Sequence, residues 1–220
     1  DVFEMGLISD QKIQDILEMI RAFKHLMKVY KVEDYRACAT SAMRDVGNSA
    51  FILERILAET GIRIEVISGS MEAQILYETH MAETLDTSNA YLYIDVGGGS
   101  TELTFYNKQQ SVTRQSFNIG TIRILKDQVS EDNWDELKTF VKTQVRSALP
   151  IVAIGSGGNI NKIFSLSKRK PGKPLSLESL KEYYKEMHPL SVAERMHRYG
   201  FREDRADVIV PALQVYISVM

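Results

Sequence analysis

The sequence predicts an α/β fold, and three observations carry that reading. Residues 10–31 place Ile13, Ile16, Leu17, Ile20, Phe23, Met27 and Tyr30 on one helical stripe, with Lys and Glu on the other faces. Short β-rich apolar runs recur at 35–40, 62–67, 91–96 and 151–154. Helical and strand patterns alternate through the first part of the chain, and a βαβα order implies parallel strands in an α/β layer.

Each element has a local justification. Ser9 or Asp10 can cap the first helix. A strand at about 35–40 leads to a polar turn at 44–48 and then to a helix whose apolar positions are Phe51, Ile52, Ile56 and Leu57. Gly61 closes that helix, as a C-terminal glycine does. A strand at 62–67, a turn at Ser68-Gly69 and a helix over 71–83 follow. The polar run Asp86-Thr87-Ser88-Asn89 interrupts the pattern, so two α/β units are expected, at 1–85 and 86–220. The second opens with strands near 91–96, 101–106 and 110–117, then a short helix after Asn118 and a longer one over 131–148, ended by Pro150. A strand at 151–154 runs into Gly155-Ser156-Gly157-Gly158-Asn159 and a helix over 160–166. Helices near 176–187 and 206–219 complete the chain.

Length and charge narrow the function. The chain has 220 residues and a formal net charge of −2, which gives no overall basic field for coating nucleic acid. Its one cysteine, Cys38, cannot form an intrachain disulfide and is expected as a small core residue in the strand at 35–40. There is no signal peptide and no apolar run long enough to span a bilayer, so a cytoplasmic protein is expected. His25, His80, His188 and His197 are scattered without metal-ligand spacing. Lys168-Arg169-Lys170-Pro171-Gly172-Lys173-Pro174 reads as a solvated basic connection or as a handle for a polyanion.

The chemistry concentrates in Asp95-Val96-Gly97-Gly98-Gly99-Ser100-Thr101-Glu102. A strand delivers Asp95, three glycines turn the chain, two hydroxyls follow, and Glu102 opens the return strand. Glycines accept positive φ and let the backbone approach a ligand closely; consecutive N–H groups in such a turn make an anion nest. Two carboxylates beside it would repel a phosphate unless a divalent cation lay between. A glycine-rich hairpin without chemistry is the alternative. The run is neither a Walker A loop, since no Gly-Lys-Ser/Thr follows, nor a GxGxxG fingerprint, since a strand and not a helix comes next.

Four further runs join the glycine turn: Ala39-Thr40-Ser41-Ala42-Met43-Arg44-Asp45, Ile67-Ser68-Gly69-Ser70-Met71-Glu72-Ala73, Ser116-Phe117-Asn118-Ile119-Gly120-Thr121-Ile122-Arg123 and Gly155-Ser156-Gly157-Gly158. In this order, and with the closing Arg205-Ala206-Asp207 helix, they resemble the exopolyphosphatase and guanosine-pentaphosphate phosphohydrolase (Ppx/GppA) family over about residues 7–220. The resemblance implies two RNase H-like lobes of the actin, Hsp70 and sugar kinase superfamily, the first lobe truncated. The family's earlier Asp-x-Gly-Ser-Asn-Ser phosphate loop has no counterpart here and should precede Asp1; the segment usual beyond Met220 is missing as well, and Asn159 stands where many members carry threonine. A family fragment is therefore expected.

The resemblance also implies roles. Glu72 is similar to the family's general base, and Asp95 and Glu102 to carboxylates that hold Mg²⁺ (Mn²⁺ is the alternative) or orient the attacking water. Gly97, Gly98, Gly99, Ser100 and Thr101 resemble the second phosphate loop. Arg44 and Arg123 are candidates for phosphate contacts. Gly155, Gly157 and Gly158 sit where nucleotide-binding relatives contact the adenosine, or serve the fold alone. Without the resemblance, Glu72 reads as a helix N-terminal carboxylate, Arg44 as a turn residue and Arg123 as a salt-bridge partner. The implied activity is release of terminal phosphate from polyphosphate or a guanosine alarmone. The alternatives are phosphotransfer to a sugar or acid, and a non-catalytic phosphate- or nucleotide-binding protein. Neither nucleic acid nor membrane is an expected partner; the oligomeric state is left open, with a homodimer as one option.

Overall fold

The structure is a computed structural model and describes residues 6–69, 71, 72, 75, 86, 88–107, 110–170 and 172–220. The chain divides into two compact units, Asp1–Glu72 and Ala73–Met220. The helix expected over 71–83 lies outside the described residues except at Met71, Glu72 and Ile75, which are helical.

In the first unit, helix α1 (Asp10–Val29) starts where Ser9 accepts the Lys12 N–H. Strand β1 (Ala37–Ala39), helix α2 (Ser41–Asp45), helix α3 (Ser49–Thr60) and strand β2 (Ile64–Val66) follow. β1 and β2 pair in parallel, as the βαβ order requires. Gly61 ends α3 at φ +72° and donates its N–H to the Leu57 carbonyl. Ile8, Ile13, Leu17, Val46, Ile52 and Ile56 form this unit's core.

Several expectations fail here, each for a geometric reason. The stripe on α1 is buried only at Ile13 and Leu17, while Phe23 and Tyr30 are 55% and 76% exposed, because the core ends before the last turns of the helix. On α3, Ile52 and Ile56 are buried but Phe51 and Leu57, one position further round, are exposed. Residues expected as a polar turn from Arg44 are partly helical, since α2 runs to Asp45. Cys38 is exposed and not a core residue. Alternation decides it: Ala37 and Ala39 face one side of the sheet, with Ile64 and Val66, and Cys38 faces the other beside exposed Glu65.

The second unit holds β3 (Ala90–Val96), β4 (Thr101–Asn107), β5 (Gln110–Phe117), α4 (Thr121–Leu125), α5 (Glu131–Gln144), β6 (Ile151–Ser156), α6 (Gly158–Leu166), α7 (Leu177–Met187), α8 (Val192–Tyr199) and α9 (Glu203–Val219). The sheet order is β5-β4-β3-β6, an antiparallel meander of the first three strands with β6 added parallel to β3. α5 stops at Gln144, short of the 148 expected, and α6 begins at Gly158, so the second glycine turn runs directly into a helix. α8 has no counterpart in the sequence expectation.

α9 is the hub of this unit. It packs on β3 and on all of α4–α8, and its buried residues, including Ala206, Ile209, Ala212, Leu213, Val215 and Tyr216, surround the helix. Leu92 and Ile94 of β3, Leu103 and Phe105 of β4, Leu137 and Phe140 of α5 and Ile163 of α6 complete the core. Phe117 at the end of β5 meets Phe140 edge-to-face at a centroid distance of 5.4 Å. Leu137 is fully buried, so Leu137→Ala is expected to destabilise the second unit by about 2–5 kcal/mol. Denaturant unfolding followed at Trp134, which packs against this core, checks it; an unchanged midpoint would contradict the packing described.

Candidate phosphate and metal site

The glycine turn is held from one side. Gly97 N–H donates to the Ser100 carbonyl at 2.9 Å, closing the turn between β3 and β4. The carbonyls of Gly97 and Gly98 accept from the N–H groups of Thr121 and Ile122, both at 2.9 Å, at the start of α4. The Gly99 carbonyl accepts from Arg123 Nε at 2.7 Å, and the Thr101 hydroxyl donates to the Ile119 carbonyl at 2.6 Å. Three successive carbonyls thus face the α4 segment. Every peptide bond described is trans, and in a planar trans peptide the C=O and the next N–H point in opposite directions. The N–H groups of Gly98, Gly99 and Ser100 therefore face away from α4, as a row of donors. Gly98, at the tip, is exposed; Gly99 and Ser100 are buried behind it.

At Gly97 and Gly98 the missing side chain leaves space. None of Gly97, Gly98 and Gly99 has positive φ, contrary to expectation. A Cβ on Gly97 would lie 3.1 Å from the Ser100 carbonyl oxygen, and one on Gly98 would lie 3.3 Å from Ile122. The tightest point is Gly120, where a Cβ would overlap the Gly98 carbonyl and the Gly99 backbone. Two backbones pass each other there without side chains. Among the residues expected to meet phosphate, Thr101 spends its hydroxyl hydrogen on Ile119, and Arg123 commits Nε to the back of the turn.

The two carboxylates meet across the hairpin. Asp95 and Glu102 are direct partners in the antiparallel β3–β4 register, which puts both side chains on one face. Ser116 is the β5 partner of Glu102, and its hydroxyl donates to Glu102 Oε1 at 2.8 Å. Ser156 is the β6 partner of Asp95, and its hydroxyl donates to Asp95 Oδ1 at 2.6 Å. A single polar rung, Ser116–Glu102–Asp95–Ser156, thus crosses all four strands. Glu102 is only 3% exposed. Like charges directly opposite in a sheet are unfavourable, and a cation between them would offset the repulsion. Hard oxygen donors suit Mg²⁺, which is typically held by one or two carboxylates together with substrate phosphates. No cluster of three or more His, Cys, Asp or Glu suited to a metal occurs among the described residues.

In the first unit, Ser68 caps the helical turn that carries Glu72: its hydroxyl accepts the Met71 N–H and its carbonyl the Glu72 N–H. Arg44 Nη1 donates to the Ile67 carbonyl at 2.6 Å and to Glu72 Oε2 at 3.4 Å. Both side chains are half-buried. Arg44 thus ties the end of the segment after β2 to the Glu72 carboxylate.

The second glycine turn has a different construction. Gly155 leaves room for Ile160 and Tyr216, whose carbons would lie 3.0 and 3.1 Å from a Cβ. Gly157 adopts φ +95° as the residue before α6, and Gly158 lies beneath the Arg205 guanidinium, which donates to Asn159 Oδ1. Tyr216 donates its hydroxyl to the Ser156 carbonyl at 2.8 Å. Burial first, and the charge of Asp95 second, push the Tyr216 phenol well above the ordinary tyrosine range, so it stays a donor.

Across known proteins, a family model described as the Ppx/GppA phosphatase family matches residues 2–220. The chain belongs to that family. Among curated relatives, the bifunctional 3-dehydroquinate synthase/phosphatase of Fusobacterium nucleatum is 30% identical over 66% of this chain and 24% of its own length. Exopolyphosphatase 1 of Mycobacterium leprae is 22% identical over 93% of this chain and 66% of its own. The guanosine-5'-triphosphate,3'-diphosphate pyrophosphatase of Pseudoalteromonas translucida is 24% identical, covering 97% and 46%. The chain therefore spans between about a quarter and two thirds of these relatives' lengths. The crystal structure of an exopolyphosphatase from Cytophaga hutchinsonii superimposes with a TM-score of 0.78 at 23% identity, over 98% of this chain and 76% of that one. That likeness establishes the α/β fold of Ppx/GppA proteins.

Gly120, Ser116, Ser156 and Tyr216 belong to the site's construction although no role was read for them in the sequence. Gly120→Ala is expected to destabilise the protein by about 1–3 kcal/mol, because the added carbon has backbone and not a movable side chain in its way. Chemical denaturation checks it, and wild-type stability would show that the turn and α4 separate freely.

Proposed function

We propose that the protein hydrolyses a terminal phosphoanhydride, releasing phosphate from inorganic polyphosphate or from the 5'-triphosphate end of guanosine pentaphosphate with a divalent cation. The observation that carries this reading is the row of Gly98, Gly99 and Ser100 N–H groups turned away from α4, beside the opposed Asp95 and Glu102. Backbone donors fixed in advance stabilise phosphoryl oxygens as charge builds on them. Family membership and the names of the curated relatives support the same substrate class.

The residues divide the chemistry. Gly97 through Thr101 form the phosphate loop, with the N–H groups as its donors. Asp95 and Glu102 would hold Mg²⁺, which when bound neutralises phosphate charge. Glu72 takes a proton from the attacking water; oxygen of that water bonds to the terminal phosphorus as the bridging P–O bond breaks, and the leaving phosphate chain retains the bridging oxygen. Arg44 holds the Glu72 carboxylate in place through the 3.4 Å contact. A cytoplasmic location belongs to the same proposal, in keeping with substrates of that kind.

Phosphate release with Mg²⁺ from polyphosphate and from guanosine pentaphosphate tests the reading. Glu72→Gln is expected to lower turnover by about 10²–10⁴-fold while substrate still binds. Near-normal turnover in that variant would remove Glu72 from the role. Binding of both substrates without release by the wild-type protein would favour a non-catalytic phosphate-binding protein.

A further inference from the structure

This inference rests on the reading of Asp95 and Glu102 as cation ligands and concerns the two residues that flank them. We propose that Ser116 and Ser156 are positioning residues that fix the two carboxylates for a shared divalent cation, with Tyr216 steadying Ser156 from behind. Each serine has one hydroxyl hydrogen, and each donates it to the neighbouring carboxylate on the same rung. The Ser156–Asp95 distance of 2.6 Å lies in the short range of charge-assisted O–H···O⁻ bonds, which are roughly twice as strong as neutral ones.

The geometry gives these bonds a direction. A carboxylate on a short side chain still rotates about its terminal torsion, which is broad and roughly two-fold. Committing Oδ1 of Asp95 to Ser156 fixes that rotation and leaves the remaining oxygen to a ligand. Ser116 holds one oxygen of the longer Glu102 from the opposite edge. Like-charged carboxylates would otherwise turn away from each other when no cation is present; the outer serines draw one oxygen of each outward along the rung and keep the pair in register. Ser156 is itself anchored, because the Tyr216 hydroxyl holds its carbonyl at 2.8 Å and Gly155 leaves room for the Tyr216 ring. The anchor thus runs from the hub helix α9 to Asp95 through one residue of β6. Hydrogen-bond partners of metal-ligating groups commonly govern metal affinity by about 10–100-fold.

Mn²⁺ binding, read by electron paramagnetic resonance without substrate, tests the proposal apart from turnover. Ser156→Ala and Ser116→Ala are each expected to weaken Mn²⁺ binding by about 10-fold or more, and Ser156→Thr, which keeps the hydroxyl, is expected to restore it. Thermal unfolding of the metal-free variants separates a folding defect from a loss of positioning. Suppose Asp95→Asn abolishes binding while both alanine variants bind as the wild type does. The serines then merely fill the rung, and the proposal falls while the cation site stands. Failure of threonine to rescue a folded Ser156→Ala defect overturns it as well. If Asp95→Asn leaves Mn²⁺ binding unchanged, the cation reading itself fails and the positioning role goes with it.

Discussion

The contact on which the candidate site depends is the passage of Gly120 against the Gly97–Ser100 turn. At that point no side chain separates the two segments, so the α4 N–H groups reach the carbonyls of the turn. Once those carbonyls are engaged, the planarity of the peptide fixes where the next N–H groups point. The site's donors are thus set by a packing contact on the far side of the turn. A side chain at Gly120 would act on the site without touching a ligand. This is preorganisation by backbone: the donors need little rearrangement when an anion arrives, which is the condition under which such groups stabilise developing charge.

The carboxylate pair depends on register in a comparable way. Asp95 and Glu102 face each other because the hairpin between them is short and regular. Ser116 reaches the rung less directly. The β4–β5 ladder shifts register between Phe105 and Asn107. Continuing the Asn107–Gln110 pairing without that shift would bring Gln115, not Ser116, opposite Glu102. A one-residue slip moves a strand's side chains to the other face, so the irregularity is what allows a serine to share the carboxylate face.

How much of this was legible in the sequence follows from the same distinction. Features governed by local chemistry could be read directly: the Ser9 cap, the Gly61 stop, the strand that delivers Asp95 and the glycine turn all lie where composition and spacing put them. α8 was legible too, since Ser191 and Glu194 form a capping box with the required three-residue spacing, and Val192, Met196 and Tyr199 follow at i, i+4 and i+7 on one face; the helix is only eight residues long, too short for its stripe to stand out. Exposure at Phe23, Tyr30, Phe51 and Cys38 was not legible, because an apolar residue's pattern does not say whether a neighbour covers it. Ser156 depends on pairing between strands distant in sequence, and Ser116 on a register shift within its own hairpin. Residue spacing along the chain does not encode that.

The two glycine turns show why composition alone cannot assign a phosphate loop. Both lie at the end of a strand of the same sheet, and both contain three glycines within four residues. In the first, the glycines have ordinary φ values, and their carbonyls turn toward α4 and leave N–H groups facing away. In the second, each glycine answers a separate demand: Gly155 admits Tyr216 and Ile160, Gly157 supplies the positive φ before α6, and Gly158 lies under Arg205. The second turn's contribution to the first is instead mechanical, since Ser156, between Gly155 and Gly157, carries the hydrogen bond to Asp95 while Tyr216 holds its backbone. A glycine-rich sequence permits a close approach, and the direction of the neighbouring carbonyls decides whether that approach faces a ligand or the core.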